Sequence, residues 1–363
     1  MMLAAVMDDF GTPLDVREVP DPGVRGGEVV VEVLATCILP YASEVFGGAR
    51  RYPLEPPVIP GLGGVARVVT AGPDATRLAP GDLVWCDATV RSRDDATTPD
   101  ITLQGWSSRG DGGLRLSRLF HDGSYAERMS VPTECVHRLS DVAETGAARW
   151  AALGVYLVPY GGLLAADFRA GESLLVSGAT GNFGSAAVAV GLAMGAGRVV
   201  AVGRNQLALE DLSARFGDRV RTVVLSGEAD DDQAAMLAAA GGPADVVLDL
   251  LPPSVDTTVV RAAAMTVREY GRVVLMGGVG MLGGDDLSFP YPWLMRNSVT
   301  VRGQWMYPRD ANDRLIALAR SGLLDLGQDS VRTFPLAQTN DAIAHAAEHG
   351  GPFVRTVLTP QDR

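Results

Sequence analysis

The chain has 363 residues, 47% of them hydrophobic, 20% charged and 6% aromatic, with a formal charge of -12. That length accommodates two domains with separate cores, while the acidity argues against a surface built for phosphate backbones or anionic membranes. All 31 basic residues are arginine, which excludes Schiff-base chemistry and proton donation by lysine.

The N-terminus, MMLAAVMDDFG, has no basic leader, and no uncharged apolar run is long enough to span a bilayer, so the expected location is cytoplasmic. Cys37, Cys86 and Cys135 are far apart and form no CxxC pair, which suits a reduced compartment and indicates neither a disulfide framework nor a zinc knuckle. Up to about Ala148 the pattern is all-β. Apolar runs at Glu28 to Leu34, Val65 to Thr70 and Asp82 to Cys86 are separated by Pro- and Gly-rich turns, as in a small barrel or sandwich. The interval from Thr89 to Phe120 is polar and broken, and reads as a surface lobe or lid. Glu144 to Ala165 reads as a helix.

The stretch from Ala170 to Asn205 contains a whole strand, turn, helix and strand. Leu174, Leu175 and Val176 run into Ser177-Gly178-Ala179-Thr180-Gly181-Asn182-Phe183-Gly184, whose glycines fall three apart. Gly178 permits a tight turn, Gly181 admits a pyrophosphate close to the backbone, and Gly184 lets the helix Ser185 to Met194 pack on the strand. The start of that helix then faces the phosphates with its partial positive charge. After the second strand, Val199 to Val202, a carboxylate would bind a ribose 2′-hydroxyl and repel a 2′-phosphate. The chain instead reads Gly203-Arg204-Asn205, a guanidinium and an amide suited to the phosphate of NADP(H).

Strands and helices then alternate. Strands are expected at Arg221 to Leu225, Asp245 to Leu250 and Arg272 to Met276, with helices at Asp231 to Ala240 and Ser254 to Val267 between them. This rhythm means a doubly wound parallel sheet. A last strand at Ser298 to Gln304, helices at Asp310 to Ser321 and Ala337 to Glu348, and a closing strand at Phe353 to Leu358 complete the pattern.

Four stretches in this order resemble the medium-chain dehydrogenase/reductase superfamily: PPVIPGLGGVARVVTAGPDATRLAPGDLV from Pro56, DGSYAERMSVP from Asp122, the glycine stretch, and FPLAQTNDAIAHAAEHGGPFVRTVLTP from Phe334. The resemblance covers nearly the whole chain. It implies an α/β protein with a GroES-like β-barrel catalytic domain, 1–155 and 306–363, a Rossmann cofactor domain, 156–305, and an active site in the cleft between them. Members with zinc carry Gly-His-Glu where this chain has Gly61-Leu62-Gly63, and their other two ligands align with Leu39 and Gly154. Cys37 is two residues from the first ligand position, with no second ligand beside it, and a catalytic zinc needs three protein ligands. The four closely spaced cysteines of the structural zinc lobe are absent as well. The chain therefore resembles the zinc-free quinone and enone reductases.

The family's proton-relay position falls on Tyr41, a candidate acid for an enolate or alkoxide oxygen. Trp106, Tyr156, Tyr160, Trp293 and Trp305, with Met306, would supply an aromatic pocket if the family layout holds. By the same resemblance Gly278 and Val279, after Gly277, meet the nicotinamide carboxamide. Asp249 reads as a loop anchor at a strand end. His121 and His137 show no partners in the sequence, and His345 and His349 read as a solvated helix face; Ser43, Glu44 and Asp87 are assigned no role. The expectation is an NADPH-dependent, zinc-independent reductase of an activated alkene on a small apolar substrate. Alternatives are a zinc-free carbonyl reductase and a non-catalytic NADPH-binding sensor. Ser298 to Gln304 as an edge strand suggests a homodimer.

Overall fold

The computed structural model describes residues 1–140 and 142–362, and the chain divides into two compact units. The first comprises Met1–Gly154, Leu326–Gly350 and the segment from Val354 to the C-terminus. Its central strand, Glu28–Ile38, is nearly continuous in apolar residues because it is covered on both faces. Gly64–Ala71 and Arg128–Pro132 pair antiparallel with it, as does the returning strand Val354–Thr359. Leu83–Cys86, Val136–Arg138 and Ser330–Pro335 complete a seven-stranded sheet. Val29, Val31, Val33, Ala66, Val68 and Val84 form its dry core. A hairpin of Met2–Val6 and Asp15–Val19, and the strand Ser330–Pro335, carry too little alternation to stand out in the sequence.

The interval 89–120 is not the surface lobe that its polarity suggests. Thr89–Arg91, Ile101–Leu103 and Ser107–Ser108 make a small antiparallel sheet, and Val90, Ile101, Leu103, Trp106 and Phe120 are buried. Its buried hydroxyls are satisfied internally, Thr102 Oγ1 lying 3.1 Å from Ser108 Oγ and donating to the Ser107 carbonyl. The exposed charges are confined to the turn at 92–100 and to the helix Gly110–Ser117 with its flanking Arg109 and Arg118.

The second unit, Val155–Asp325 with Gly351–Phe353, is organised around six parallel strands. In spatial order they are Val220–Val224, Arg198–Gly203, Ser173–Ser177, Ala244–Asp249, Val267–Leu275 and Thr300–Gly303. In order of sequence this is 3-2-1-4-5-6, so the direction of winding reverses between Ser173–Ser177 and Ala244–Asp249, and ligands of such sheets bind at that switch point. Helix Asn182–Ala193 is buried almost throughout its length. Helix Gln206–Phe216, nearly half polar and only weakly periodic, escapes the sequence reading; Asn205 caps it by accepting from the Ala208 amide. The helix expected from Ser254 to Val267 is the shorter Thr257–Ala264, because Asp256 caps it and Val267 already belongs to the next strand. The second boundary also moves. Residues 306–325 belong to this unit rather than to the catalytic one. Gly161 leaves just enough room for Tyr307, since a Cβ there would stand 2.6 Å from the Tyr307 Cβ, and Arg314 lies over the Tyr160 ring.

Candidate functional site

In the second unit the glycine turn is built by close approach. Gly178 sits at φ +84, the Gly181 amide closes a turn on the Gly178 carbonyl, and a Cβ on Gly184 would fall 2.0 Å from that same oxygen. Gly203 has Thr180 against it, where a Cβ would meet the threonine methyl at 2.5 Å. Helix Asn182–Ala193 starts without a side-chain cap and without an acidic residue in its first turn. That leaves its positive end suited to an anion. Arg204 is exposed at the end of its strand, and among the described residues no carboxylate pairs with it. The cradle, the uncapped helix and the arginine fit a dinucleotide carrying a 2′-phosphate. Asn205 has a duty of its own, because its Oδ1 is the cap of the following helix. Gly278 packs against Pro253 and donates its amide to the Leu251 carbonyl, so the loop with Val279 is fastened to the loop after Asp249.

In the first unit Tyr41 is the N-cap residue of helix Ala42–Phe46. Trp106 stands edge-on to it at 6.1 Å and the Arg50 guanidinium lies 4.5 Å over its ring. Burial, and then the neighbouring Tyr52, push the Tyr41 phenol well above its ordinary pKa, so it stays protonated and acts as a donor, not a base. Its hydroxyl shares a hydrogen bond with that of Tyr52 in which either can be the donor, and burial raises the Tyr52 pKa as well. Arg50 reaches Tyr52 as well and holds Glu44 at 2.7 Å, which gives Glu44 a positioning contact. Sequence reasoning misses Tyr52. It lies eleven residues beyond Tyr41 across a loop in which Arg51 adopts φ +51, so no helical or strand period joins the two.

The expected aromatic pocket divides between the units. Trp106 is in the first, 1% exposed, with Phe46 5.4 Å away. Tyr156, Tyr160, Trp293 and Trp305 are in the second. Tyr156 and Tyr160 are buried, Trp293 packs on that unit's own core, stacked with Phe289, and Trp305 is 41% exposed. His121 has partners after all, Asp122 at 3.0 Å and the Glu55 carbonyl at 3.1 Å, and Asp122 raises its pKa. His345 is not simply solvated: it lies 5.2 Å from Phe334, stacks on His349 and meets Thr356 Oγ1. His137 is buried, Asp87 Oδ1 accepts from the Thr89 amide, and Ser43 is exposed.

The positions that align with zinc ligands do not fit the metal. Gly63 has φ +68, and a Cβ there would stand 2.0 Å from the Cys86 carbonyl oxygen, leaving no room for any ligand side chain. Leu39 is buried, and Gly154 faces the Trp85 ring, which a Cβ would touch at 3.4 Å. Burial pushes the Cys37 thiol up to about 12. Among the described residues no group of three or more His, Cys, Asp or Glu is gathered to hold a metal.

Two family models match the chain: an alcohol dehydrogenase GroES-like domain over residues 25–141 and a zinc-binding dehydrogenase domain over 183–321. An alcohol dehydrogenase of Rhizobium meliloti is 33% identical over 199 residues, about half of each chain (53% and 55%). One of Geobacillus stearothermophilus is 27% identical over 94% of both chains. An acryloyl-coenzyme A reductase of Metallosphaera sedula is 30% identical over 60% of this chain and 63% of its own. Among solved structures, a putative zinc-binding dehydrogenase of Sinorhizobium meliloti bound to NADP matches with a TM-score of 0.80 at 21% identity, over 99% of both chains.

Proposed function

The chain belongs to the medium-chain dehydrogenase/reductase superfamily, and within it we propose a zinc-independent, NADPH-dependent reductase of activated alkenes, of the enone or quinone type, on small apolar substrates. The observation that carries this reading is that Leu39, Leu62 and Gly154, at the positions that align with the three zinc ligands, have no ligating side chain, while at the neighbouring Gly63 the backbone leaves no room for one. An isolated ketone accepts hydride poorly unless its oxygen is strongly polarised, the task that a bound metal performs. A conjugated alkene spreads the incoming charge onto an enolate oxygen, which one or two hydrogen bonds stabilise.

When bound, the cofactor supplies a hydride from nicotinamide C4. The chain's own part is binding and proton supply. Gly178, Thr180, Gly181 and Gly184 shape the pyrophosphate cradle, with the first-turn amides of Asn182 and Phe183 as donors. Arg204, with Gly203 leaving space beside it, pairs with the 2′-phosphate. Tyr41 donates to the enolate oxygen, and Tyr52, held by Arg50, returns the proton to Tyr41. An acryloyl group is itself a conjugated alkene, so the acryloyl-coenzyme A reductase among the relatives supports the reaction class, and the NADP-bound neighbour supports the cofactor.

The alcohol dehydrogenases among the relatives favour a second reading, carbonyl reduction by the same residues. Pairing of Thr300–Gly303, the outermost strand of its sheet, with a second copy would give a homodimer, which light scattering would register as twice the 38.1 kDa chain mass. NADPH oxidation with 2-cyclohexenone and with cyclohexanone, before and after chelation, tests the main reading. It predicts turnover of the enone that survives chelation, and zinc well below one per chain by elemental analysis. Stoichiometric zinc with activity lost on chelation would overturn it.

A further inference from the structure

Ser177 and Asp249 end the two strands that flank the switch point, paired with each other in register. Three backbone bonds tie the loops that leave this edge: the Leu250 amide to the Ser177 carbonyl, the Met276 amide to the Asp249 carbonyl, and the Gly278 amide to the Leu251 carbonyl. The Asp249 side chain lies inside this knot, 3% exposed. The amides of Leu251 and Gly277 are aimed at its carboxyl. Gly277 is a glycine of necessity, since a Cβ there would stand 2.4 Å from Oδ2 and 2.7 Å from the Leu251 carbonyl oxygen. Oδ1 has no hydrogen-bond partner, and the Ser177 hydroxyl, though near enough to favour the charged form, makes no hydrogen bond of full geometry. A buried acid that leaves an oxygen unsatisfied is a costly way to anchor a loop.

We propose that Asp249 is a positioning residue for cofactor binding: its carboxylate holds the loop of Gly277–Val279 against the loop of Leu250–Pro253, in the conformation that the nicotinamide half of the cofactor requires. This rests on the reading of the second unit as a dinucleotide-binding domain. The two amides favour the charged carboxylate, so a proton on the carboxyl weakens their hold and loosens the brace. Burial pushes the Asp249 pKa up to about 7, opposed by the Leu251 amide, the Gly277 amide and the Ser177 hydroxyl in that order. No charged side chain is among these causes. The faces packed on the carboxyl present Ser177 from its strand, Leu251 from one loop and Gly277 from the other, none of them titratable. The charge state therefore follows solution pH near neutrality, and binding is linked to it.

The test compares two ligands that share the adenosine 2′-phosphate and the pyrophosphate, NADPH and 2′-phospho-ADP-ribose, which lacks the nicotinamide. Dissociation constants are measured by calorimetry at pH 6 and pH 8, for the wild type and for Asp249→Asn. For a group titrating near 7, NADPH should bind the wild type about tenfold more weakly at pH 6 than at pH 8, beyond any change seen with the nicotinamide-free ligand. Asp249→Asn should lose that excess and bind NADPH about tenfold more weakly at pH 8, with 2′-phospho-ADP-ribose unaffected. Identical pH profiles for the two ligands on the wild type overturn the proposal alone, even if the variant does not fold. Failure of both ligands to bind the wild type overturns the dinucleotide reading and this proposal with it.

Discussion

Replacing Asp249 with asparagine should change how stability depends on pH. In the unfolded chain this carboxyl titrates near its ordinary value of 3.8, and burial in the folded unit pushes it up to about 7. Between those values the native state keeps a proton that the unfolded state has released, so stability falls as pH rises through the window and is level above it. About three pKa units at about 1.36 kcal/mol each amount to about 4 kcal/mol. The asparagine does not titrate. Its mismatched hydrogen bonds add a constant, which cancels when the same pair of proteins is compared at two pH values. Melting both proteins at pH 4.5 and pH 8 should show the variant gaining on the wild type by roughly 10 °C, at about 2 to 4 °C per kcal/mol for a unit of this size. A gap between the two curves that stays the same at both pH values would refute the reasoning, because the acid would then titrate alike in both states. The stability given up by the ionised wild type is what a brace kept for ligand binding entails.

Three further substitutions address the cofactor and the acid. Arg204→Ala removes a charge-assisted contact of roughly 1.5 to 3 kcal/mol, so NADPH should bind about 10- to 100-fold more weakly with NADH nearly unchanged, and equal losses for both would give the arginine another role. Tyr41→Phe should lower kcat by roughly 10²- to 10⁴-fold with NADPH affinity retained, while Tyr52→Phe, which leaves the donor in place, should cost less; equal and small losses would reduce both tyrosines to walls of the pocket.

The cofactor unit was the most legible part of the chain, for a physical reason. Its signals are local: the glycines from Gly178 to Gly184 act within one turn, and buried parallel strands read as apolar runs. The hidden parts depend on distant partners. Thr89 to Phe120 looks like surface until Thr102 and Ser108 are seen to satisfy each other. The pairing of Tyr41 with Tyr52 depends on a loop, and the return of 306–325 to the cofactor unit depends on Tyr307 fitting against Gly161. Asp249 was legible as a loop anchor, but its burial and unsatisfied oxygen arise only from the fold.

The central claim is conjugate reduction, and the fate of the hydride tests it most directly. With NADPH deuterated at the transferred C4 position and an enone as substrate, the account predicts deuterium on the carbon β to the carbonyl of a saturated ketone. Deuterium on the carbinol carbon of an alcohol product would contradict it and establish the carbonyl reductase instead.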